Sequence, residues 1–370
     1  MQKLFLYLFL LLFSSPIFAQ FANGLSLGAD YSYGKLLKHS AKQTFPVNEP
    51  CTGISIEAMK EANGKGYWSG LRKYPRVGFS FIYKQYGNDT LLGSALGFFP
   101  QIDMFLLRKG KFYLFTRLGY GVAYLNRPYD RLTNTGNTAI GSHLNNYTTF
   151  GICAEYKLNP HFFVRVGGFV AHSSNGHTRT PNLGLNTATL RVGVHYMLKP
   201  ADKPVAFPYE KYPIHKKPIF GVRMGIGMTE VSAVPDGPIY PVYVYSPYVI
   251  FNTSGKSRWW TGVEFSFDRS VKDWAKNQEV DFTNKQAKYK HFTVYGAHEF
   301  MFGRLGILTE FQVYADKVPT NKNFWAAKIG PNVYLLRPHK SQRRNLYAGI
   351  YLKAEYFIAQ YVEGTMGLTF

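Results

Sequence analysis

The sequence predicts an all-β fold, an antiparallel membrane β-barrel of about sixteen strands in two repeats of eight. Three observations carry that expectation. The 370 residues include 28 Tyr, 30 Phe and 35 Gly, yet mean hydropathy is only −0.18, as expected where apolar and polar residues alternate along lipid-facing strands. No segment reaches the ~18 consecutive apolar residues that a membrane-spanning helix requires. Alternating segments long enough to cross a bilayer as tilted strands recur along the chain, and among β-structures only a closed barrel pairs all its backbone groups in lipid.

Residues 1–19 read as a secretory signal. Lys3 precedes an apolar run from Leu4 to Phe13, and the segment from Ser14 to Ala19 supplies small residues, with cleavage expected after Ala19. The run is too short to span a bilayer. Residues 20–198 hold eight strand candidates, at 24–34, 53–62, 75–87, 90–106, 111–125, 142–158, 160–173 and 186–198. Only the stretch around 53–74 is ambiguous. Turns after even strands are short, as at 108–111 and 158–160, whereas 35–52, 126–141 and 174–185 are long. If the first strand starts in the periplasm, the long loops are extracellular.

Residues 199–217 form a linker; the twenty residues from 199 to 218 contain five prolines, which favours an extended connection over a hairpin turn. Eight further strands are expected in 218–370, at 218–232, 240–252, 257–270, 287–301, 304–316, 323–336, 344–355 and 358–370. The halves echo one another, since the segment from Gly70 to Phe81 resembles that from Ser257 to Phe267, and duplication explains the echo. Two architectures fit: tandem eight-stranded barrels filled by side chains, or one sixteen-stranded barrel around an aqueous channel. The Pro-rich linker favours the tandem form. The final strand alternates Val362, Met366, Leu368 and Phe370 against Glu363, Thr365 and Thr369, and its terminal Phe is similar to the assembly signal of outer-membrane barrels. Together these features place the chain in the bacterial outer membrane.

The formal charge is +21 and the pI is near 9.7. Export and the barrel pattern exclude nucleic acid as the partner of that charge, leaving outer membrane lipids and above all a phosphorylated glycolipid. Cys51 near a loop and Cys153 within a strand are not expected to pair. The histidines show no metal-ligand spacing, so neither a metal nor a cofactor is expected.

One segment breaks the lipid-facing pattern, the run from His172 through Ser174, Pro181, Asn182 and Gly184 to Asn186. Backward from His172, the residues Val170, Gly168, Val166, Val164 and Phe162 form one apolar row; forward from Asn186, the residues Ala188, Leu190, Val192, Val194 and Tyr196 form another. A hairpin that pairs His172 with Asn186 also pairs Val170 with Ala188, Gly168 with Leu190 and Val166 with Val192, matching row to row. His172, Ser174 and Asn186 then share the lipid-facing side at the extracellular end. A serine becomes nucleophilic when an imidazole takes its proton and a third group orients that imidazole, so the cluster contains the parts of a triad.

On these residues the sequence resembles the lipid A deacylases of the PagL type, the acyloxyacyl hydrolase family, especially its longer forms. The resemblance rests on His172-x-Ser174-Asn175 and Pro181-Asn182-x-Gly184, supported by Tyr74-Pro-Arg-Val-Gly78 and the loop from Asn134 to Asn145, and spans about residues 20–198. It implies a serine esterase whose lipid-facing triad on an eight-stranded barrel releases an acyl chain from lipid A of lipopolysaccharide, without a cofactor. It makes Ser174 the nucleophile, His172 the general base and then acid, and Asn186 the orienting group. Asn182, the Asn175 backbone amide and Gly176 are the candidates to bind the oxyanion. Asn186 departs from the family, whose triad has a glutamate there; an amide orients imidazole but does not stabilise imidazolium by charge. Residues 218–370 contain no His-x-Ser-Asn counterpart, so chemistry is expected of the first half alone. A homodimer is compatible with this reading. The rival reading is a non-catalytic structural barrel, or a pore if all the strands close together.

Overall fold

The structure, a computed structural model, describes residues 22–38, 40, 42–205, 207–230, 235–271, 290–315 and 324–370. The signal segment 1–19 with its cleavage site lies outside the described residues, as does the expected start of the twelfth strand at 287. Eight strands, β1 (Leu25–Leu37), β2 (Cys51–Glu61), β3 (Arg76–Gln85), β4 (Ser94–Lys109), β5 (Phe112–Leu125), β6 (Leu144–Lys157), β7 (Phe162–Ser173) and β8 (Leu185–Met197), close into one barrel. A second closes from β9 (Ile219–Glu230), β10 (Ile239–Ser254), β11 (Ser257–Asp268), β12 (Lys290–Phe302), β13 (Leu305–Tyr314), β14 (Trp325–Tyr334), β15 (Asn345–Glu355) and β16 (Ile358–Thr369). Neighbouring strands are antiparallel, with β8 returning to β1 and β16 to β9. Closure within each half overturns the single sixteen-stranded barrel and the aqueous channel it would enclose.

Local chemistry explains where the strands depart from expectation. β4 starts at Ser94 rather than 90 because Asn88 organises the preceding turn, accepting from Leu91 N through its side chain and from Leu92 N and Gly93 N through its carbonyl. The ambiguous stretch resolves into the end of β2, a loop and a short helix α1 (Tyr67–Leu71), so this connection is long although it follows an even strand. At the opposite end β15 and β16 are joined by Tyr356 and Phe357 alone, both at positive φ (47° and 68°), as two-residue hairpin turns require. The sequence echo falls on the third strand of each barrel: Ser80 of β3 and Ser266 of β11 are buried, each between exposed phenylalanines.

The period of two sorts the side chains of β7 and β8 between the two faces. Val164, Val166 and Val170 of β7 and Leu190, Val192 and Val194 of β8 are exposed on the outer face, while Arg165, Phe169 and Arg191 between them are buried. Eight strands leave a lumen that side chains can fill, and here the filling is ionic. In the first barrel Arg117 takes Asp103 (2.6 and 2.8 Å) and Glu57, Arg165 joins Asp30 (2.9 Å) to Glu57 (3.0 Å), and Arg76 holds Glu155 (2.6 and 3.0 Å). In the second, Arg223 links Glu264 (2.9 Å) to Glu310 (2.8 Å), and Lys328 links Glu264 (2.7 Å) to Glu363 (2.9 Å). Asp30, Glu57 and His195 lie close enough together to ligate a metal, but Arg117 and Arg165 already pair with both carboxylates, so the group is part of this network.

The end at which β1 starts and β16 finishes also joins the barrels. Lys199 bridges to Asn23, Val205 N donates to Asn63 O (3.0 Å) and His215 N donates to Gln342 Oε1 (2.6 Å), so the Pro-rich linker is held at 199, 205 and 215. Tyr67 of α1 stacks on His339 at 4.5 Å, and Arg72 donates to the carbonyls of Lys256 (2.8 Å) and Met301 (3.2 Å).

Removing one partner from a buried ion network strands the others. Arg117→Met should therefore destabilise the first barrel by about 3–5 kcal/mol in denaturant unfolding from detergent, while the unmodified chain in planar bilayers should give no voltage-step conductance.

Candidate active site on the outer face of the first barrel

His172 stands opposite Asn186 in the pairing of β7 with β8, and Val170, Gly168 and Val166 face Ala188, Leu190 and Val192 below it. The pairing brings His172 Nδ1 to 2.7 Å from Asn186 Oδ1. An amide oxygen only accepts, so the imidazole donates from Nδ1 and carries its acceptor lone pair on Nε2. Gly184 keeps space for the ring: its φ is +78°, and a Cβ there would lie 2.7 Å from His172 Cε1.

Ser174 lies just beyond β7 but stays in register with β6. Asn146 N donates to its carbonyl at 2.8 Å, and Asn146 Nδ2 donates to its Oγ at 3.2 Å. The hydroxyl thus accepts from Asn146 and retains a proton to give. Thr148 pairs with His172 on the β6 side, so the polar cluster spans the upper ends of three strands. Asn146 is absent from the residues that the sequence singles out. Its signal was available, for Asn146 and Thr148 cap the apolar row of Phe150 and Ile152 just as Ser174 and His172 cap that of Val170.

The loop 174–184 is held by its own amides. Asn175 N donates to Asn182 Oδ1 (2.9 Å), Asn175 Nδ2 donates to Ser142 Oγ (2.9 Å), and Asn182 bridges to Ile140. The Asn175 backbone amide, expected to face an oxyanion, is therefore directed at Asn182, whose amide carries a donor nitrogen beside the accepting oxygen. Gly184 is fixed through its amide to Ala139 O (2.9 Å) and through its carbonyl by Gln43 Nε2 (2.8 Å). Phe45, Leu92, Ala139, Ile140 and Leu185 back the loop in one apolar cluster. Gly176 and His177 follow with positive φ (65° and 71°), turning the chain away from the first barrel.

That turn carries the loop onto the second barrel. Glu230 N donates to His177 O (3.1 Å), and its buried carboxylate accepts from Thr180 Oγ1 (2.9 Å) and from Thr180 N and lies 3.5 Å from Arg179 Nη1. His177 Nδ1 meets Thr229 Oγ1 at 3.2 Å. A Cβ on Gly176 would fall 2.2 Å from Val362 Cγ2 and 3.3 Å from Leu352 Cδ1, so the backbone at 176 rests directly on β15 and β16. Glu230 carries no sequence signal, since neither periodicity nor motif reveals a contact between two barrels.

Two family profiles match. One, described as lipid A 3-O-deacylase (PagL), matches residues 59–195; the other, described as acyloxyacyl hydrolase, C-terminal domain, matches residues 219–370. Among solved structures, the outer membrane enzyme PagL is 16% identical over 45% of this chain and 97% of its own, with a TM-score of 0.31. Neisserial surface protein A is 11% identical over 47% of this chain and 97% of its own (TM-score 0.32). A Rhodopseudomonas blastica porin triple mutant is 8% identical over 94% of this chain and 99% of its own (TM-score 0.18). No curated protein matches the chain.

The clamp on the loop should be measurable by trypsin clipping after Arg179. Loss of hydrogen bonds to a buried carboxylate, at ~1.5–3 kcal/mol, should raise clipping in Glu230→Ala about tenfold or more. The clamp should also depend on pH. Burial, opposed by the charges of Glu230 and Asp268, holds His177 below its usual pKa. The unfolded loop then binds the proton first, so stability is complete above the ordinary histidine value and falls as pH drops through it. Clipping relative to a denatured control should rise from pH 8 to pH 6 in the parent and stay flat in His177→Gln.

Proposed function

Because the chain belongs to the PagL-type lipid A deacylase family, we propose that it is an outer-membrane serine esterase that removes an ester-linked acyl chain from lipid A or a related acylated glycolipid. The observation that carries the reading is the 2.7 Å contact of His172 Nδ1 with Asn186 Oδ1 beside Ser174, at the top of an otherwise apolar outer face. Polar groups facing lipid are costly and are kept where they act. Export through residues 1–19 brings the chain to that membrane in this reading.

Ser174 Oγ attacks the ester carbonyl carbon and its proton passes to His172 Nε2, the nitrogen left as acceptor by the bond to Asn186. Negative charge develops on the carbonyl oxygen, where donors held in place before reaction stabilise it. The Asn182 side-chain nitrogen and the Gly176 amide fill that role here, and the Asn175 amide acts behind them by fixing Asn182. As the tetrahedral centre collapses, the sugar oxygen leaves with the proton from His172 and the acyl group stays on Ser174. Water, deprotonated by His172, then attacks the acyl-enzyme and releases the fatty acid. Asn146 Nδ2, bound to Ser174 Oγ at 3.2 Å, fixes the rotamer from which the hydroxyl reacts. The long row of Val170, Gly168, Phe150, Ile152, Ala188 and Leu190 lines an apolar groove of about 640 Å³ below the cluster, which suits the chain to be removed.

Mass spectrometry of lipid A incubated with the protein tests the reading. Ser174→Ala and His172→Asn should remain folded, heat-modifiable barrels and release no fatty acid. Release undiminished in Ser174→Ala would overturn Ser174 as the nucleophile, and no release by the parent would leave the non-catalytic barrel as the better account.

Asn186 tests the third member of the triad. Asn186→Ala should lower kcat about a hundredfold or more with little change in KM, whereas Asn186→Glu should at least match the parent, since a carboxylate both orients the ring and stabilises its charge. Turnover of Asn186→Ala equal to the parent would place the orienting group elsewhere.

A further inference from the structure

Residues 218–370 contain no His-x-Ser-Asn segment, yet the outer wall of the second barrel begins where the site loop ends. Val362 of β16 and Leu352 of β15 support the loop at Gly176, two residues from Ser174. One pleat below them, at ~3.4 Å per residue, Gly364 follows Val362 on the same face and Ile350 follows Leu352. Gly364 pairs with Ile350 on one side and with Ile226 of β9 on the other. A Cβ at Gly364 would meet nothing within 4 Å. The missing side chain leaves an apolar groove of about 510 Å³, continued downward by Met224, Met366 and Leu368.

The first barrel repeats this arrangement under the triad. Gly168, also with nothing within 4 Å of its Cβ position, pairs with Ile152 and with Leu190, and lies below His172 on the same face. Val170, Leu190, Ile226, Ile350 and Met366 on the two walls are exposed. Two glycine-floored grooves therefore descend from one loop, one on each barrel, and both run from the polar site toward the membrane interior.

A deacylase substrate that is a multiply acylated glycolipid has its sugar at the level of the loop and more than one chain below it. We infer that the groove at Gly364 binds a second acyl chain of the glycolipid whose ester is cleaved at Ser174. The inference rests on the deacylase reading and gives the second barrel a place in substrate recognition. Its occupant is set by continuity, because the groove starts at Gly364 and Ile226, one pleat below the Val362 that supports the loop after Ser174. Other lipid-facing glycines lack that connection: Gly296 of β12 is equally open but lies four strands from β16 in the eight-strand circuit, on the far wall.

That pair of glycines provides the test. The full-length parent, Gly364→Phe, Gly296→Phe and Ser174→Ala are assayed on purified lipid A in detergent micelles and on the p-nitrophenyl ester of one short acyl chain. Filling the groove should lower the ratio of kcat/KM on lipid A to kcat/KM on the ester about tenfold or more in Gly364→Phe, through KM. Gly296→Phe should behave as the parent. A ratio unchanged in Gly364→Phe, or lowered equally in Gly296→Phe, overturns the inference. So does a proportional loss on both substrates, which would mean that Gly364→Phe disturbs the loop. Each of these results leaves the esterase reading intact if Ser174→Ala is inactive, and only an active Ser174→Ala removes both.

Discussion

In lipid the backbone has no partner except itself, and that constraint organises everything else in this chain. Each half closes its eight strands so that no edge remains. Closure fixes which side of every strand meets hydrocarbon and which meets the lumen. The outer side becomes Val, Ile, Leu and aromatic residues, and the inner side must be filled. A lumen of this size holds little water, so acids and bases enter only as mutual partners, as Arg117 does with Glu57 and Asp103, and Lys328 with Glu264 and Glu363.

The same constraint bears on the composition of the site. Every polar side chain in the outer cluster, His172, Asn186, Ser174, Asn146 and Thr148, is neutral or can be. A carboxylate at position 186 would strengthen the imidazolium during reaction but would face the hydrocarbon edge as a charge in the resting state. An amide gives up that stabilisation and retains orientation, through the 2.7 Å contact to Nδ1. In the proposed reaction Asn186 is thus a compromise between reactivity and burial, with more of the charge stabilisation assigned to the oxyanion donors.

Most of the fold was legible because alternation is a local property of sequence. The register of β7 against β8 followed from matching two apolar rows, and the structure pairs His172 with Asn186 as those rows require. The geometry of the cluster was readable for the same reason. Features that depend on through-space contact were not. Asn146 reaches Ser174 from another strand, the Asn175 amide turns to Asn182 rather than outward, and Glu230 lies fifty residues from Thr180. α1 was hidden because its contacts, Tyr67 on His339 and Arg72 on Met301, are made with the other barrel.

Those contacts decide how the two halves should be regarded. Each barrel closes alone and carries its own lumenal ion network, so neither needs the other to satisfy its strands. They are nevertheless joined at both ends, by α1 and the docked linker at one and by the loop 174–184 at the other. The second junction falls on the loop that follows the serine. A buried carboxylate such as Glu230 requires partners, and its partners are the backbone and side chain of Thr180 and the guanidinium of Arg179. The energetic need of a residue in the second half is therefore met by the loop that follows Ser174 in the first. In this reading the second barrel is part of the enzyme, and the His-x-Ser-Asn motif marks where the reaction occurs without marking all that the reaction uses.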